Sequence, residues 1–406
     1  MDTTTMTPVE KMTSLKAWQL LNQNKAVMQS AQEVMEIADK AMLNAQVTEV
    51  VETNYDIGKV MEVWEIFGGY INRSFGIVCE KDGARCDWFV RKYMKKKSTT
   101  EIHLEHDLLF EAHNNGCDMA TLPLLGKDGA SYYRLDEGEG DEAEIYYYAV
   151  YHFIPGDVDY DWLNNITPEK IYLKLGEILA SFHNAVRNFD PKGNNREELD
   201  IRRMLPNFRS EFQGYLDFYK ENGLENMFTK YYRLNFEEIC RIAESIVITD
   251  DDVKEMPYLP IHNDFHPGNF KYNGDEVTGM FDFDWAKIDM RIYEIAFACT
   301  YCFNFWDPDK NGVFNMEAVV KFCNAYNAEL KKVNGLKPLT DTEKRLLPEM
   351  LLAGNLYLVR WASQMVWRDL TLSEFEYLFY MQHQVTSLYW VRDNLEKIRE
   401  MCLAIV

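Results

Sequence analysis

Positive charge is scarce in this chain of 406 residues, where 43 Lys and Arg stand against 65 Asp and Glu and leave a formal net charge of -22. That shortage argues against a nucleic-acid partner or an anionic membrane surface, because a phosphate-rich partner must be met by excess Lys and Arg. A cationic or neutral partner is easier to accommodate. Long apolar runs are also missing. No stretch approaches the roughly 20 apolar residues that a membrane span needs, and Met1 to Leu15 lacks the basic start and apolar core of an export signal. A cytoplasmic protein with no membrane partner is expected. The eight cysteines are scattered from Cys79 to Cys402. The one close pair, Cys299 and Cys302, has no second CxxC or CxxH to complete four metal ligands, so buried free thiols are expected. No internal repeat is present, which excludes solenoid architectures.

What is present is length and apolar content. With 47% hydrophobic residues, the chain can bury two cores, and two lobes are expected. Residues 1–55 read as a helical extension, with apolar positions Leu20, Leu21, Val27, Val34 and Ile37 between Ser14 and Leu43. Residues 56–155 begin with short β-type runs, Val60 to Ile66, Phe75 to Val78 and Trp88 to Tyr93, broken by Gly68-Gly69 and Lys81-Asp82-Gly83. A helical segment at Ile102 to His113 follows. The acidic run Asp136 to Glu144 reads as a solvated hairpin loop before the strand Ile145 to Ile154. Residues 156–406 carry amphipathic patterns at Pro168 to Arg187, Asn207 to Tyr219 and Asn235 to Ile246, then one β island, Leu259 to Phe283, then helices from Ile292 onward. The order predicts an α+β protein, its first lobe a small antiparallel β-rich unit and its second mainly helical.

The island holds the chemistry. It contains His262-Asn263-Asp264, then Asn269, then an apolar strand ending in Asp282-Phe283-Asp284. Phosphoryl transfer from ATP requires a carboxylate at the attacking hydroxyl and oxygen ligands that hold magnesium against the phosphates. Asp264, Asn269 and Asp282 supply that set. His266-Pro267-Gly268 lets the loop turn and aim Asp264 and Asn269 into one cleft. If the chain is extended at Asp282 and Asp284, alternation puts both carboxylates on one face, where both reach metal. Asp, Asn, Pro and Gly also dominate ordinary turns, but the joint pattern HxDxxxxN followed by an apolar strand ending in DxD is far rarer.

This segment resembles the catalytic core of the aminoglycoside phosphotransferase and choline kinase family, which has a protein-kinase-like fold. The similarity extends upstream to Tyr151-His152-Phe153-Ile154-Pro155-Gly156, which matches the strand leading into the hinge between the lobes. Leu175 to His183 matches the first large helix of the second lobe, and Phe67-Gly68-Gly69-Tyr70-Ile71-Asn72-Arg73-Ser74-Phe75 the nucleotide loop. The resemblance implies an ATP- and Mg2+-dependent kinase acting on a hydroxyl of a small metabolite, with Asp264 as the catalytic base and Asn269, Asp282 and Asp284 as metal ligands.

The resemblance also implies that backbone groups at Gly68, Gly69 and Asn72 approach the phosphates, and that those near His152 and Ile154 meet adenine. A basic residue of the third strand should reach the α- and β-phosphates. Arg91 and Lys92 are neighbours, so alternation allows only one of them to do so; the family's Leu-Arg ending favours Arg91, and the protein-kinase form favours Lys92. Glu105 matches the helix acid that steadies this basic residue, with Glu101 one turn earlier as its competitor. His262 is expected to prop up the catalytic loop by hydrogen bonding rather than to move protons.

For the acceptor, the run after Asp284 is similar to both choline kinases and homoserine kinases, with Glu294 where the family usually has Asp. Leu336-Lys337-Pro338-Leu339-Thr340 resembles the homoserine kinase type. Trp306 and Arg360 are the acceptor-site candidates. Trp285, Trp306, Trp361 and Trp367 read either as a cage for a quaternary ammonium or as core packing, and an amino alcohol, a homoserine-like amino acid and a sugar all stay open. A nucleotide-binding pseudokinase scaffold is the alternative class; it would be expected to lack the base, the Asn or the metal-binding Asp, and none is missing. A protein kinase is disfavoured by His-Asn-Asp in place of His-Arg-Asp and by the absence of Asp-Phe-Gly and Ala-Pro-Glu segments.

Overall fold

The computed structural model describes residues 40–66, 72–95, 97–137 and 144–406. The part of the helical extension before residue 40, and the glycines Gly68 and Gly69, lie outside the described residues. The chain divides into two compact units. The described residues before Lys97, together with Leu124–Phe153, form the first; Lys97–Pro123 and Ile154–Val406 form the second.

The first unit is a helix on a sheet. Helix α1 spans residues 40–54 and is followed by strands β1 (Lys59–Ile66), β2 (Arg73–Lys81) and β3 (Ala84–Lys92). Strands β4 (Tyr133–Glu137) and β5 (Glu144–His152) complete a five-stranded antiparallel sheet in the order β1-β2-β3-β5-β4. Each long strand contributes one face to the core by the two-residue alternation of side chains. Phe75, Ile77 and Cys79 from β2, Val90 from β3, and Tyr148 and Val150 from β5 pack with Leu43, Val47, Val50 and Val51 of α1. The described end of the extension is therefore part of this core rather than an appendage. Strand β4 reaches into the acidic run, so Asp136 and Glu137 are strand rather than loop. It forms because Tyr133 and Leu135, two apart, can be covered by the same core while Arg134 and Asp136 face out.

The second unit opens with α2 (Thr99–Asn114), which packs on α3 (Glu169–Val186). The sequence leaves this helix with the β-rich lobe because it lies between strands. Its buried face, including Ile102, Leu104, Glu105, Leu108 and Leu109, is nevertheless buried in the second unit. Short α4 (Ile201–Met204) precedes α5 (Phe208–Glu221), α6 (Met227–Ser245) and α7 (Asp250–Lys254). The β island is two separate ladders. Strand β6 (Tyr258–Ile261) pairs with β9 (Lys287–Met290), and β7 (Phe270–Asn273) pairs with β8 (Glu276–Met280).

Helices α8 (Arg291–Phe303), α9 (Met316–Leu330), α10 (Asp341–Arg368), α11 (Glu374–Asp393) and α12 (Leu395–Leu403) complete the unit. Arg291, 1% exposed, fastens the start of α8 to the start of α10 through Glu343 at 2.6 Å and the Lys337 carbonyl at 2.8 Å. All eight cysteines are free, and only Cys86 is exposed. Among the described residues, no helix is long and apolar enough to cross a membrane.

The connector Pro155-Gly156 shows why glycine is needed at one point. Gly156 has φ 118°, and a Cβ there would lie 2.5 Å from the Tyr272 carbonyl. The next residue, Asp157, exchanges two backbone hydrogen bonds with Tyr272, at 2.8 and 2.9 Å. A side chain at Gly156 would break that close approach.

Candidate active site

The two ladders bring the candidate residues together. Asn269 immediately precedes β7 and Phe281 immediately follows β8, so the Phe270–Met280 pairing sets them side by side. The Phe281 N-H donates to the Asn269 carbonyl at 3.0 Å. The Phe281 carbonyl accepts the Nε2-H of His262 at 2.9 Å, and His262 directly follows β6. Phe281 thus clasps the Asp264 loop on one side and leads into Asp282 on the other. His262 is fully buried, burial lowers its pKa, and its Nδ1 has no partner among the described residues. It is a neutral strut, in a bonding state unsuited to shuttling protons.

Asp264 is the only side chain of His262-Asn263-Asp264 that keeps appreciable access to solvent, at 22%. The Asn269 Nδ2 donates both to its carbonyl, at 2.8 Å, and to its Oδ2, at 3.0 Å. His266 Nε2 stands 3.6 Å from the same Oδ2. Burial pushes the Asp264 carboxyl up, but the adjacent His266 ring and the Asn269 amide outweigh it and hold the group below the usual carboxylate range. It is an ionised carboxylate at neutral pH with one edge already occupied, which suits an acceptor of protons.

The backbone is left-handed at two points beside the chemistry. Asn263 has φ 59° and Asp282 has φ 68°. Asp and Asn tolerate this region better than other side chains, and such conformations persist only where surroundings enforce them. At Asn263 the enforcing contact is visible: its N-H donates to Glu294 Oε1 at 2.7 Å. The positive φ at Asp282 also corrects an expectation. The chain leaves strand geometry after Met280, so alternation does not set Asp282 and Asp284 on one face. Asp284 is 8% exposed, and its carbonyl accepts from Lys97 at 3.2 Å and Arg196 at 2.8 Å. Glu101, the competitor of Glu105, pairs with Lys97 at 2.7 Å and so belongs to this clamp.

In the first unit, the register of β3 separates Arg91 from Lys92. Lys92 shares the core face with Val90; its Nζ meets Glu137 and Gln46, both at 3.0 Å, and lies 4.0 Å from the Tyr146 ring centroid. Arg91 shares the opposite face with Phe89, whose ring its guanidinium covers at 5.7 Å. The Asn72 Oδ1 accepts the Met94 N-H at 2.9 Å. His152 ends β5, with its ring 4.8 Å from that of Trp88. Glu105 is 2% exposed on α2, and Ile154 packs against Gly279.

The acceptor candidates are each already engaged. Trp306 stacks on His383 at 3.4 Å. Arg360 donates to Glu198 at 3.1 Å and Glu211 at 2.8 Å. Among the tryptophans, Trp285 lies under Arg196, Trp367 sits against Tyr215 and Phe218, and Trp306 and Trp361 each contact Tyr380.

Sequence reasoning missed several residues around Asp264. Tyr301 lies beside the loop, its ring 5.1 Å from that of His266, and Glu198 gathers Tyr357, Lys287 and Arg360. Tyr357 in turn accepts from Asn263 Nδ2 at 3.4 Å. One signal for Tyr301 was available, since it lies seven residues after Glu294 and therefore on the same face of α8. Glu198 has no such signal, because it sits in an irregular segment between α3 and α4.

The family model described as "Phosphotransferase enzyme family" matches residues 63–328. A homoserine kinase of Rhizobium rhizogenes is 24% identical over 311 residues, covering 73% of this chain and 78% of that protein. Among solved structures, the microcompartment-associated aminopropanol kinase superposes with a TM-score of 0.60 at 15% identity, covering 89% of this chain and all of the other. Choline kinase from Cryptosporidium parvum gives 0.55 at 16% identity, covering 85% and 91%.

Proposed function

The chain belongs to the phosphotransferase enzyme family and is a small-molecule kinase, and from that premise we propose that it uses ATP and Mg2+ to phosphorylate the hydroxyl of a homoserine-like amino alcohol or amino acid. The observation that carries this reading is the clasp through Phe281, which holds Asp264, Asn269 and Asp282 around one loop end. Asp264 takes the proton of the acceptor hydroxyl and orients its oxygen in line with the γ-phosphorus. The new P-O bond forms as the bond to the β-phosphate oxygen breaks, and ADP leaves.

The donor set fits magnesium. Asn269 makes its side-chain hydrogen bonds through Nδ2, which turns Oδ1 away from Asp264, and Asp282 adds a carboxylate. One or two such oxygens plus phosphates make a usual magnesium site. Bound there, the cation would neutralise charge on the phosphates. Arg91 would take the α- and β-phosphates, with backbone groups at Gly68, Gly69 and Asn72 beside them. Glu105 would steady the basic residue, and backbone groups near His152 and Ile154 would meet adenine. Trp306 and Arg360 would border the acceptor. Arg360 keeps donors beyond those given to Glu198 and Glu211, enough for an acceptor carboxylate.

The preference for a homoserine-like acceptor rests on the homoserine kinase relative, which matches 73% of this chain. ATP consumption and product identification across homoserine, aminopropanol, choline and hexosamines test it. Phosphorylation of homoserine or a close analogue is expected. Robust phosphorylation of protein substrates, with every small hydroxyl compound inert, would overturn it.

A further inference from the structure

We propose that His266 is a positioning residue for Asp264, a preset donor aimed at one oxygen of the carboxylate that leaves the other to the acceptor hydroxyl. This rests on the reading of Asp264 as the base. Three contacts fix the His266 ring. Its Nδ1 accepts the N-H of Gly268 at 3.0 Å, which requires a bare nitrogen there, so the ring proton is on Nε2. That Nε2-H faces Asp264 Oδ2 at 3.6 Å, just beyond hydrogen-bond reach, a separation of the kind that closes once substrates fill a site. The ring lies against Tyr301, with centroids 5.1 Å apart.

The residue after Pro267 is held to glycine by the same geometry. A Cβ on Gly268 would stand 2.9 Å from His266 Cε1 and 3.1 Å from Nδ1, while the Asp161 backbone closes the other side at 3.2 Å. Any larger residue must push the ring from its position. With Asn269 Nδ2 bonded to Oδ2 at 3.0 Å and His266 Nε2 aimed at the same oxygen, the carboxylate is biased toward one rotamer. A base fixed in one rotamer loses no time or entropy to misorientation. The histidine two residues after Asp264 thus orients the base without touching substrate.

The test is steady-state kinetics on the full chain with the identified acceptor, for His266→Ala, His266→Gln and Gly268→Ala, each also made with Asp264→Asn. His266→Ala and Gly268→Ala should lower kcat roughly 3- to 100-fold, the range of coupling between contacting groups, with the ATP KM within about twofold. His266→Gln, which restores an N-H donor near the Nε2 position, should recover most of the rate. With Asp264→Asn present, removing His266 should change the residual rate by less than about twofold. A near-normal kcat in Asp264→Asn alone would remove the base and this role with it. An inactive Asp264→Asn beside a wild-type kcat in His266→Ala would overturn the positioning role alone. So would a Gln variant as slow as the Ala variant, or an equal loss in both backgrounds.

Discussion

The Glu294 carboxylate accepts the Asn263 N-H at 2.7 Å through one oxygen and meets His183 Nε2 at 2.6 Å through the other. His183 and Glu294 are both fully buried, and the far side of the imidazole reaches the Tyr326 hydroxyl at 2.9 Å. The left-handed turn before Asp264 is therefore held from α8, and α8 from α3 and α9. Glu294→Ala would strand a buried N-H and a buried imidazole nitrogen. Each such group costs about 1–3 kcal/mol. A clear fall in the denaturation midpoint is expected together with a lower kcat, whereas Glu294→Gln, which keeps an acceptor for Asn263, should lose much less stability. Chemical denaturation of both variants checks this, and equal midpoints would show that the contact is not holding the loop.

Arg91 and Lys92 should separate cleanly in kinetics. The Lys92 ammonium is already held by Glu137 and Gln46 on the face covered by α1, so Lys92→Ala should cost stability and leave nucleotide kinetics almost unchanged. Arg91 faces the other way. Arg91→Ala should raise the ATP KM, lower kcat, or both. The comparison fails if Lys92→Ala is the variant that loses nucleotide affinity.

The proximity of the Asp264 loop, Asn269 and the Asp282 segment was the most legible part of the sequence, because it follows from local spacing that two short ladders enforce. Helices such as α3 and α5 were legible for the same reason, since their apolar positions repeat at a helical period. Local pattern could not say which unit α2 would join, because that depends on which surface covers Ile102 and Leu108. It also missed the bend at Asp282, where an Asp in a left-handed turn and an Asp ending a strand look alike. Partners such as Glu198 with Lys287 and Arg360 are brought together only by the tertiary fold.

Acid should loosen the second unit through His383. Burial lowers this imidazole from 6.5 to about 3, while it stacks on Trp306 and bonds Asn311 at 2.6 Å. The folded state keeps the ring neutral, so between pH 6.5 and about 3 the unfolded chain binds more protons. Stability then falls as pH falls, at up to about 1.4 kcal/mol per pH unit from this group. His383→Gln should flatten that part of the profile. Melting temperatures measured from pH 7 to pH 4 check it, and an unchanged slope in the variant would assign acid sensitivity elsewhere.

Asp264→Asn and Asp282→Asn should fail in different ways. The first keeps the shape of the side chain but loses its charge and most of its basicity. Loss of a positioned base costs roughly 100- to 10,000-fold in rate, or about 3–5 kcal/mol of transition-state stabilisation. ATP binding should survive, because Asp264 needs only the acceptor hydroxyl. Asp282 is proposed to work on the metal and the nucleotide, so its amide variant should lose magnesium-dependent ATP affinity together with rate. Asn also accepts the left-handed backbone found at Asp282, which keeps that variant folded and the comparison fair. Kinetics paired with ATP titrations, with and without magnesium, separate the two. A near-normal kcat in Asp264→Asn would transfer the base role to another group, and magnesium-dependent ATP affinity unchanged in Asp282→Asn would remove Asp282 from the metal site.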